Sequence, residues 1–176
     1  MAESFDQRHA ISRRVLIMGV SGSGKSTIGE AVAERIGCHY IDGDKYHPPE
    51  NIRKMSSGHS LNDDDRRGWL EELARLFGRY READETVLIG CSGLKRRYRD
   101  ILREGDPQLT ILFLKGEYDL ILQRMQERQH FFSPEMLTSQ FETLEAPGDD
   151  EAIAIDISKS FDNVIDQCVE ALEALD

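Results

Sequence analysis

A glycine-rich stretch at residues 19–26 constrains this chain more than any other feature. It reads GVSGSGKS and fits the pattern G-x-x-x-x-G-K-[ST]. A buried strand is predicted just before it, at residues 15–18, and an amphipathic helix just after it, at residues 27–36. A phosphate-binding loop needs this context, because its glycines turn the backbone N–H groups toward an anion at the helix N-terminus. An ordinary glycine-rich turn is the alternative, and the flanking elements disfavour it.

The loop also predicts a role for its polar residues. Lys25 would reach the β- and γ-phosphates of a nucleotide, and the Ser26 hydroxyl would hold Mg²⁺. The other predicted nucleotide-binding positions are Gly19, Ser21, Gly22, Ser23, Gly24 and Thr27. The motif indicates a nucleotide without indicating a reaction, since GTPases, motor ATPases and small-molecule kinases all carry it. Guanine specificity usually comes with an N-K-x-D motif, which the sequence lacks.

Five short apolar segments alternate with stretches of helical periodicity. The predicted strands are residues 15–18, 38–41, 86–91, 109–114 and 153–157. Strands separated by helices predict an α/β fold with a five-stranded parallel sheet, covered by helices on both faces. We expect one domain over residues 14–176, a lid at about 124–140 and a flexible extension at 1–13. Trp69 belongs to a helical apolar stripe and is predicted to lie in the core.

The charge of the chain is unevenly distributed. Its net charge is -11, yet residues 145–176 hold ten acidic residues and one lysine, so that stretch alone carries -9. A nucleic-acid-binding surface would need a net basic domain, so no nucleic-acid partner is expected. No apolar run approaches the ~20 residues of a membrane span, and residues 1–14 lack the apolar core of a signal peptide. A cytoplasmic protein without a membrane partner is therefore expected.

The three cysteines, Cys38, Cys91 and Cys168, lie far apart and show no C-x-x-C spacing. This arrangement predicts buried, reduced thiols and neither a disulfide framework nor a zinc site.

Two aspartates follow the second predicted strand. Ligands of open parallel sheets bind beyond the carboxyl ends of the strands, and Asp42 and Asp44 lie at such an end. In an extended segment their side chains would point the same way. One carboxylate could then orient Mg²⁺ through water while the other accepts a proton from an attacking hydroxyl. Alternatively, both act only as turn formers and helix caps.

Two groups of basic residues are candidates for binding anions. Arg124 and Arg128 are four residues apart and share a helix face, before an irregular segment at 129–134 that suits a mobile flap. Pairing with surface acids such as Glu127 is their alternative role. Basic side chains also follow the third strand, where they could bind a substrate carboxylate or simply be solvated: Lys95, Arg96, Arg97 and Arg99.

From about Val15 to its C-terminus the chain closely resembles the gluconokinases, which are P-loop small-molecule kinases related to shikimate kinase. The segments that carry this resemblance are D42-G43-D44 with H47-P48, N51, K54-M55, D63-D64-D65-R66, W69-L70, C91-S92-x-L94-K95-x-x-Y98-R99-D100, H130-F131-F132 and S139-Q140-F141. Shikimate kinases share the phosphate loop and a D-x-D, but not the stretch between His47 and Trp69. The resemblance implies a nucleoside-monophosphate-kinase-like fold that phosphorylates the 6-hydroxyl of D-gluconate, with ATP and Mg²⁺, commonly as a homodimer.

The resemblance also implies roles for individual residues. Asp44 would be the base for the substrate hydroxyl, beside Lys25 as a catalytic residue, and Asp42 would act with Ser26 on the magnesium side. Arg124 and Arg128 would be lid arginines, and Arg124 would be catalytic. The substrate-binding set would contain Asp44, Arg53, Asp65, Arg66, Lys95, Arg99 and His130. Another small-molecule kinase, such as one for shikimate, and a nucleotide-binding module without catalysis remain alternatives.

Overall fold

The computed structural model describes residues 13–128 and 134–175. In chain order these residues form β1 (Arg14–Met18), α1 (Lys25–Ile36), β2 (His39–Asp42), a 3₁₀ helix (Gly43–Tyr46), α2 (Pro49–Ser56), α3 (Asp63–Glu82), β3 (Val87–Gly90), α4 (Arg96–Arg103), β4 (Thr110–Lys115), α5 (Tyr118–Glu127), α6 (Pro134–Thr143), β5 (Ile153–Asp156) and α7 (Phe161–Glu173). Each predicted strand is present, and no strand end differs from its predicted position by more than one residue.

The five strands form one parallel sheet in the order β2-β3-β1-β4-β5. Leu16 of the central strand lies opposite Ile89 of β3 and Ile111 of β4. The carboxyl ends of parallel strands share one edge of the sheet, so the segments that follow β1, β2 and β3 converge there. The predicted α/β fold with a five-stranded parallel sheet is confirmed.

Helices cover both faces of the sheet, as the sequence predicts. Val15 and Ile17 of β1 join the core that includes buried residues of α1 and α7. Leu16 and Met18 point to the opposite face, into the core that includes α3 and α4. Alternation along a strand thus gives the central strand two buried faces, and its apolar run has no polar side. Trp69 lies in the second core, so its predicted core position is confirmed.

Helix α3 begins with a capping box. The Asn62 Oδ1 atom accepts a hydrogen bond from the Asp65 backbone N–H at 2.7 Å, and the Asp65 carboxylate accepts one from the Asn62 N–H at 2.8 Å. This arrangement satisfies N–H groups that the first helical turn leaves without partners. It fixes the start of α3, and so the direction in which Asp63 and Arg66 extend.

All three cysteines are free thiols. Cys91 and Cys168 are buried, and burial raises the pKa of each thiol to about 12. Cys38 is only half-buried, so the prediction that all three are buried is wrong at this position. Separately, no helix in the described part of the chain is both long and apolar enough to cross a bilayer.

Candidate active site

The phosphate loop connects β1 to α1 and depends on glycine at two positions. Gly22 and Gly24 have φ values of +81° and +98°, in the left-handed region that glycine adopts without strain. A Cβ atom on Gly22 would lie 2.5 Å from the Met125 side chain of α5. Helix α5 therefore packs directly on the loop, and a larger residue at position 22 would separate them.

The loop presents polar groups that have no protein partner. Helix α1 has no side-chain cap at Gly24, and no hydrogen bond from the N–H groups of Lys25, Ser26 or Thr27 is formed within residues 13–128 and 134–175. The Ser23 Oγ atom is also unpartnered there, although the residue is only 3% exposed. Unsatisfied donors at a helix N-terminus fit the phosphate groups of a nucleotide.

Lys25 folds back onto the loop. Its ammonium donates to the carbonyl oxygens of Gly19 at 3.0 Å and Val20 at 3.1 Å. Burial lowers the pKa of Lys25, and the nearby Asp44 carboxylate acts in the opposite direction. The ammonium has three protons, so one remains for a phosphate oxygen.

The segment after β2 turns instead of extending. The Asp42 carboxylate accepts a hydrogen bond from the Asp44 backbone N–H at 3.0 Å and caps the 3₁₀ helix that follows. The prediction that Asp42 and Asp44 lie in an extended segment is therefore wrong. The Asp42 side chain caps a helical turn here, which is a common role of aspartate. Both carboxylates still lie close enough to Lys25 to act on its pKa.

The Asp44 carboxyl group has an unusual environment for an aspartate. Part of the residue faces solvent, yet burial of the carboxyl group raises its pKa. Lys25 opposes this effect and Asp42 adds to it. A carboxylate with a raised pKa accepts a proton more readily than an ordinary aspartate, which suits a general base.

The backbone of this turn is held from two sides. The Trp69 indole N–H donates to the Gly43 carbonyl oxygen at 2.8 Å. A Cβ atom on Gly43 would lie 2.4 Å from the Gly90 carbonyl oxygen, so only glycine allows the turn to approach β3 this closely. These contacts fix the backbone that carries Asp44.

A cavity of about 210 Å³ adjoins the loop on the side away from Asp44. Its walls combine phosphate-loop residues with α5 and the start of α7: Ser23, Gly24, Thr27, Ile28, Arg124, Arg128, Ile157, Lys159, Phe161 and Val164. Both predicted lid arginines therefore lie beside the loop. Sequence reasoning missed Lys159 and Phe161, because nothing in their local pattern distinguishes them from a helix start.

Helix α6 reaches the loop through one side chain. The Gln140 Oε1 atom accepts a hydrogen bond from the Ser21 N–H at 2.6 Å, and the Gln140 amide nitrogen donates to Ser21 Oγ at 2.8 Å. Ser21 thus has protein partners for both its N–H and its hydroxyl. The predicted lid extends into α6, while its middle, including His130, lies outside the described residues.

A cluster of charged residues surrounds Tyr98 of α4. The Tyr98 hydroxyl donates to the Asp63 carboxylate and accepts a hydrogen bond from Arg66 at 3.2 Å. Asp63 also pairs with Lys95 at 3.3 Å and with Arg97. The Arg66 and Lys95 charges each lie 5.6 Å from the centre of the Tyr98 ring. The structure thus brings together two predicted substrate residues, Arg66 and Lys95, through Asp63 and Tyr98.

Two other predicted substrate residues have different surroundings. Asp65 belongs to the capping box and pairs with Lys54 at 2.6 Å, and both contacts use its Oδ2 atom. Arg53 is exposed in the last turn of α2. Asp65 therefore has a structural role in the geometry seen here, and Arg53 stays a prediction.

Arg99 does not face the site. It is 1% exposed, and all five of its N–H groups are used by the Glu151 carboxylate and the carbonyl oxygens of Gly93, Leu94 and Glu145. Arg103 also pairs with Glu151, at 2.9 Å. The geometry argues against the predicted contact between Arg99 and a substrate, since a guanidinium without a free donor has nothing to offer a carboxylate.

A larger open groove of about 810 Å³ lies elsewhere, between the second half of α3 and residues 104–105. Helix α3 ends before β3 begins, and residues 104–105 precede β4. The groove therefore lies toward the amino ends of the strands, and it is not the nucleotide site.

Comparison with known proteins shows the family. A family model described as shikimate kinase matches residues 21–172, so the chain belongs to that family of P-loop kinases. The thermosensitive gluconokinase of Escherichia coli (strain K12) is 48% identical over 163 residues, which cover 91% of this chain and 87% of that protein. The chain belongs to the gluconokinase family.

Two further gluconokinases agree with this placement. The thermoresistant gluconokinase of Escherichia coli (strain K12) is 44% identical and covers 90% of this chain and 92% of its own length. The crystal structure of a gluconokinase from Sinorhizobium meliloti 1021 has a TM-score of 0.84 at 44% identity, with 94% of each chain covered. The resemblance drawn from the sequence is confirmed.

Proposed function

We propose that this chain transfers the γ-phosphoryl group of ATP to the 6-hydroxyl of D-gluconate. The observation that carries this proposal is the convergence at one sheet edge of a phosphate loop with unpartnered donors, a carboxylate of raised pKa and a cation cluster. A phosphate loop provides for a nucleotide, and the cations provide for a second, anionic substrate. The family relationship supports gluconate as that substrate.

On the nucleotide side, backbone N–H groups of the loop and the Lys25 ammonium would hold the phosphates. Arg124 and Arg128 lie on the wall of the adjoining cavity, and we infer that the adenine base occupies that cavity between them and Phe161. Mg²⁺ would be held by the Ser26 hydroxyl, with Asp42 acting through water. The ion would neutralise charge that develops on the phosphate oxygens.

On the acceptor side, Lys95 and Arg66 would bind the gluconate carboxylate. The 6-hydroxyl oxygen forms a bond to the γ-phosphorus, the bond from that phosphorus to the β–γ bridging oxygen breaks, and the hydroxyl proton passes to Asp44. The products are 6-phospho-D-gluconate and ADP. Arg124, from the lid, would stabilise the charge on the transferred group.

Charge balance makes the acceptor cluster necessary. Gluconate and ATP are both anions, so their approach is unfavourable unless fixed cations lie between them. Lys25, Arg66 and Lys95 supply three positive charges around the cleft. We further expect the enzyme to work in the cytoplasm as a homodimer; both expectations come from the sequence and from the family resemblance.

An ADP-release assay with purified protein tests the function directly. We expect turnover with ATP, Mg²⁺ and D-gluconate, and none with shikimate or nucleoside monophosphates. Turnover with shikimate alone would replace the substrate assignment and keep the kinase. ATP binding without product from any acceptor would instead indicate a module that has lost catalysis.

A further inference from the structure

His47 follows the 3₁₀ helix and is held by its neighbours in one orientation. Its ring stacks on the Trp69 indole, with 3.9 Å between the ring centres and 22° between the planes. Trp69 is itself 5% exposed and bonded to Gly43. The backbone N–H of His47 donates to the Asp44 carbonyl oxygen at 3.4 Å. The imidazole is thus fixed to the same turn that carries Asp44.

The contacts of Asn51 determine which nitrogen of His47 carries the proton. The Asn51 amide nitrogen donates to the Asp65 carbonyl oxygen at 2.9 Å and lies 3.2 Å from His47 Nδ1. A carbonyl oxygen only accepts hydrogen bonds, so the amide nitrogen, and not the amide oxygen, occupies this position. Because an amide nitrogen only donates, His47 Nδ1 must accept. The ring proton therefore lies on Nε2.

A second proton on this imidazole is disfavoured by its surroundings. Protonation of Nδ1 would break the bond from Asn51 and oppose two donors. Burial and the positive charge of Arg66 lower the pKa of His47. Asn51, which contacts the ring from α2, is uncharged. Arg66 of α3 is the charged neighbour that lowers the pKa of the ring. The ring is a neutral donor through Nε2.

The Nε2–H group has no hydrogen-bond partner in the described part of the chain, and His47 is only partly buried. His47 is bonded through its backbone to Asp44, and Arg66 lies close enough for its charge to act on the pKa of the ring. Asp44 is the proposed site for the reacting hydroxyl, and Arg66 is one of the proposed sites for the carboxylate. We propose that His47 Nε2–H donates a hydrogen bond to a hydroxyl oxygen along the gluconate chain. This inference rests on the proposed function, and it makes His47 a determinant of acceptor specificity.

A neutral donor is suited to this task. A neutral N–H group donates a hydrogen bond to a hydroxyl oxygen. Unlike a cation, it does not also attract the substrate carboxylate or the phosphates. A site built to bond a particular hydroxyl discriminates strongly against an analogue that lacks it, because its own donor is left unpaired. Lys95 and Arg66 would recognise any carboxylate, whereas His47 would recognise a polyhydroxy acid.

Three substitutions distinguish the effect of the Nε2–H donor from the effect of the aromatic ring. His47→Gln places an amide N–H near the position of Nε2, His47→Asn places one near Nδ1, and His47→Phe keeps an aromatic ring against Trp69 without either nitrogen. We expect the KM for gluconate to rise about tenfold in His47→Asn and His47→Phe, and about threefold in His47→Gln. The KM for ATP should stay unchanged in all three.

Deoxy analogues of gluconate provide a readout that a structural role would not change. Among monodeoxy analogues that keep the 6-hydroxyl, the wild-type protein should turn over one at least tenfold less efficiently than gluconate, and His47→Phe should lose that discrimination. Equal discrimination by both proteins across all the analogues would overturn the proposal. A wild-type protein that does not phosphorylate gluconate at all would instead overturn the proposed function.

The tautomer is measurable without any turnover. ¹⁵N NMR of histidine-labelled protein should show His47 neutral, with its proton on Nε2, near neutral pH. Asn51→Leu should release this preference and serves as the matched control. A wild-type His47 protonated on Nδ1, or one that titrates as an ordinary histidine, would contradict the proposal.

Discussion

The two sides of the candidate site differ in how they are built. The nucleotide side includes three consecutive residues, 25–27, whose backbone N–H groups have no protein partner in the described part of the chain, and the same holds there for the Ser23 hydroxyl. The acceptor side consists of side chains from separate elements that already bond to one another, through Asp63 and Tyr98. The nucleotide side has donors that are free to bind a ligand. On the acceptor side, a ligand has to replace hydrogen bonds and ion pairs that the side chains already form with one another.

This difference has a consequence for specificity. Unsatisfied backbone donors bind any polyphosphate with little reorganisation, so the nucleotide side supplies affinity without selecting an acceptor. Before they bind a carboxylate, Lys95 must give up part of its contact with Asp63 and Arg66 part of its contact with Tyr98, so a substrate has to replace those bonds well. Selection is therefore expected on the acceptor side. Five predictions test this comparison, in order of decreasing effect.

The largest effect is expected at Lys25 on the nucleotide side. Lys25→Met should lower kcat by about a thousandfold, because the transferred phosphoryl group loses its fixed positive charge. Arg35→Met, at the other end of α1, is the matched control and should retain activity. Initial rates at saturating ATP and gluconate measure the effect, and near-normal turnover in Lys25→Met would remove the phosphate loop from the mechanism.

The second prediction concerns the stability of the structure behind the acceptor side. Glu151→Gln should lower the free energy of unfolding by about 3 kcal/mol, because it leaves the buried Arg99 charge without its carboxylate. The KM for gluconate should stay unchanged, since Arg99 has no free donor. Urea unfolding measures the stability, with the exposed Asp149→Asn as control. A selective rise in the KM for gluconate would return Arg99 to the substrate site.

The same ion pair predicts a dependence of stability on pH. The Arg99 guanidinium lowers the pKa of Glu151 in the folded protein. The unfolded chain then binds the proton more readily, so this stabilisation is complete above the ordinary glutamate pKa and is lost as pH falls through the lowered one. Glu151→Gln should flatten that part of the stability profile.

The third prediction concerns proton transfer at Asp44. Asp44→Asn should lower kcat by about a hundredfold with little change in ATP affinity, because the general base is lost and the loop is intact. The raised pKa of Asp44 places the acid limb of the wild-type rate profile above the ordinary aspartate pKa. A pH–rate profile tests this. If Asp44→Asn shows the same fall in rate at low pH as the wild-type protein, another group is responsible for it.

The fourth prediction tests the exchange of partners on the acceptor side. Tyr98→Phe removes the hydroxyl that links Arg66 to Asp63 and holds both side chains in place. We expect this loss of orientation to outweigh the bond that no longer has to be given up, so the KM for gluconate should rise about fivefold and the KM for ATP should stay unchanged. Tyr80→Phe, at a partly buried tyrosine of α3, is the control. If both KM values rise together in Tyr98→Phe, the two sides are not independent and the comparison fails.

The smallest effect is expected at the cavity beside the loop. Phe161→Ala should raise the KM for ATP about threefold, because a stacking surface for the base is removed, and the KM for gluconate should not change. Leu175→Ala, at another exposed apolar residue of the C-terminal part, is the control. An unchanged KM for ATP in Phe161→Ala would place the base outside this cavity.

The sequence predicted those parts of the site that are local in the chain. The strand, loop and helix at residues 14–36 are recognisable because the motif, the apolar run and the helical period are all contiguous there. A cap for α3 at Asn62 or Asp63 is predicted by the same kind of local pattern, and the structure has it at Asn62. Local patterns of this kind also supplied the order of strands and helices, and hence the α/β fold.

Contacts between distant residues could not be read from the sequence. Arg99 and Glu151 are 52 residues apart, and nothing in the basic run after β3 shows that Lys95 points out while Arg99 points in. Phe161 and Lys159 reach the nucleotide side only because β5 pairs with β4. The turn at Asp42 depends on Trp69, whose indole bonds across 26 residues to Gly43. Each of these outcomes is decided by tertiary packing.

That last contact gives the protein an optical reporter of its own. The chain contains a single tryptophan, so its intrinsic indole emission comes from Trp69 alone. The indole touches Gly43 through its N–H and His47 through its face. Acceptor binding should therefore change the emission of this one chromophore, and a titration can follow occupancy of the acceptor side without a label.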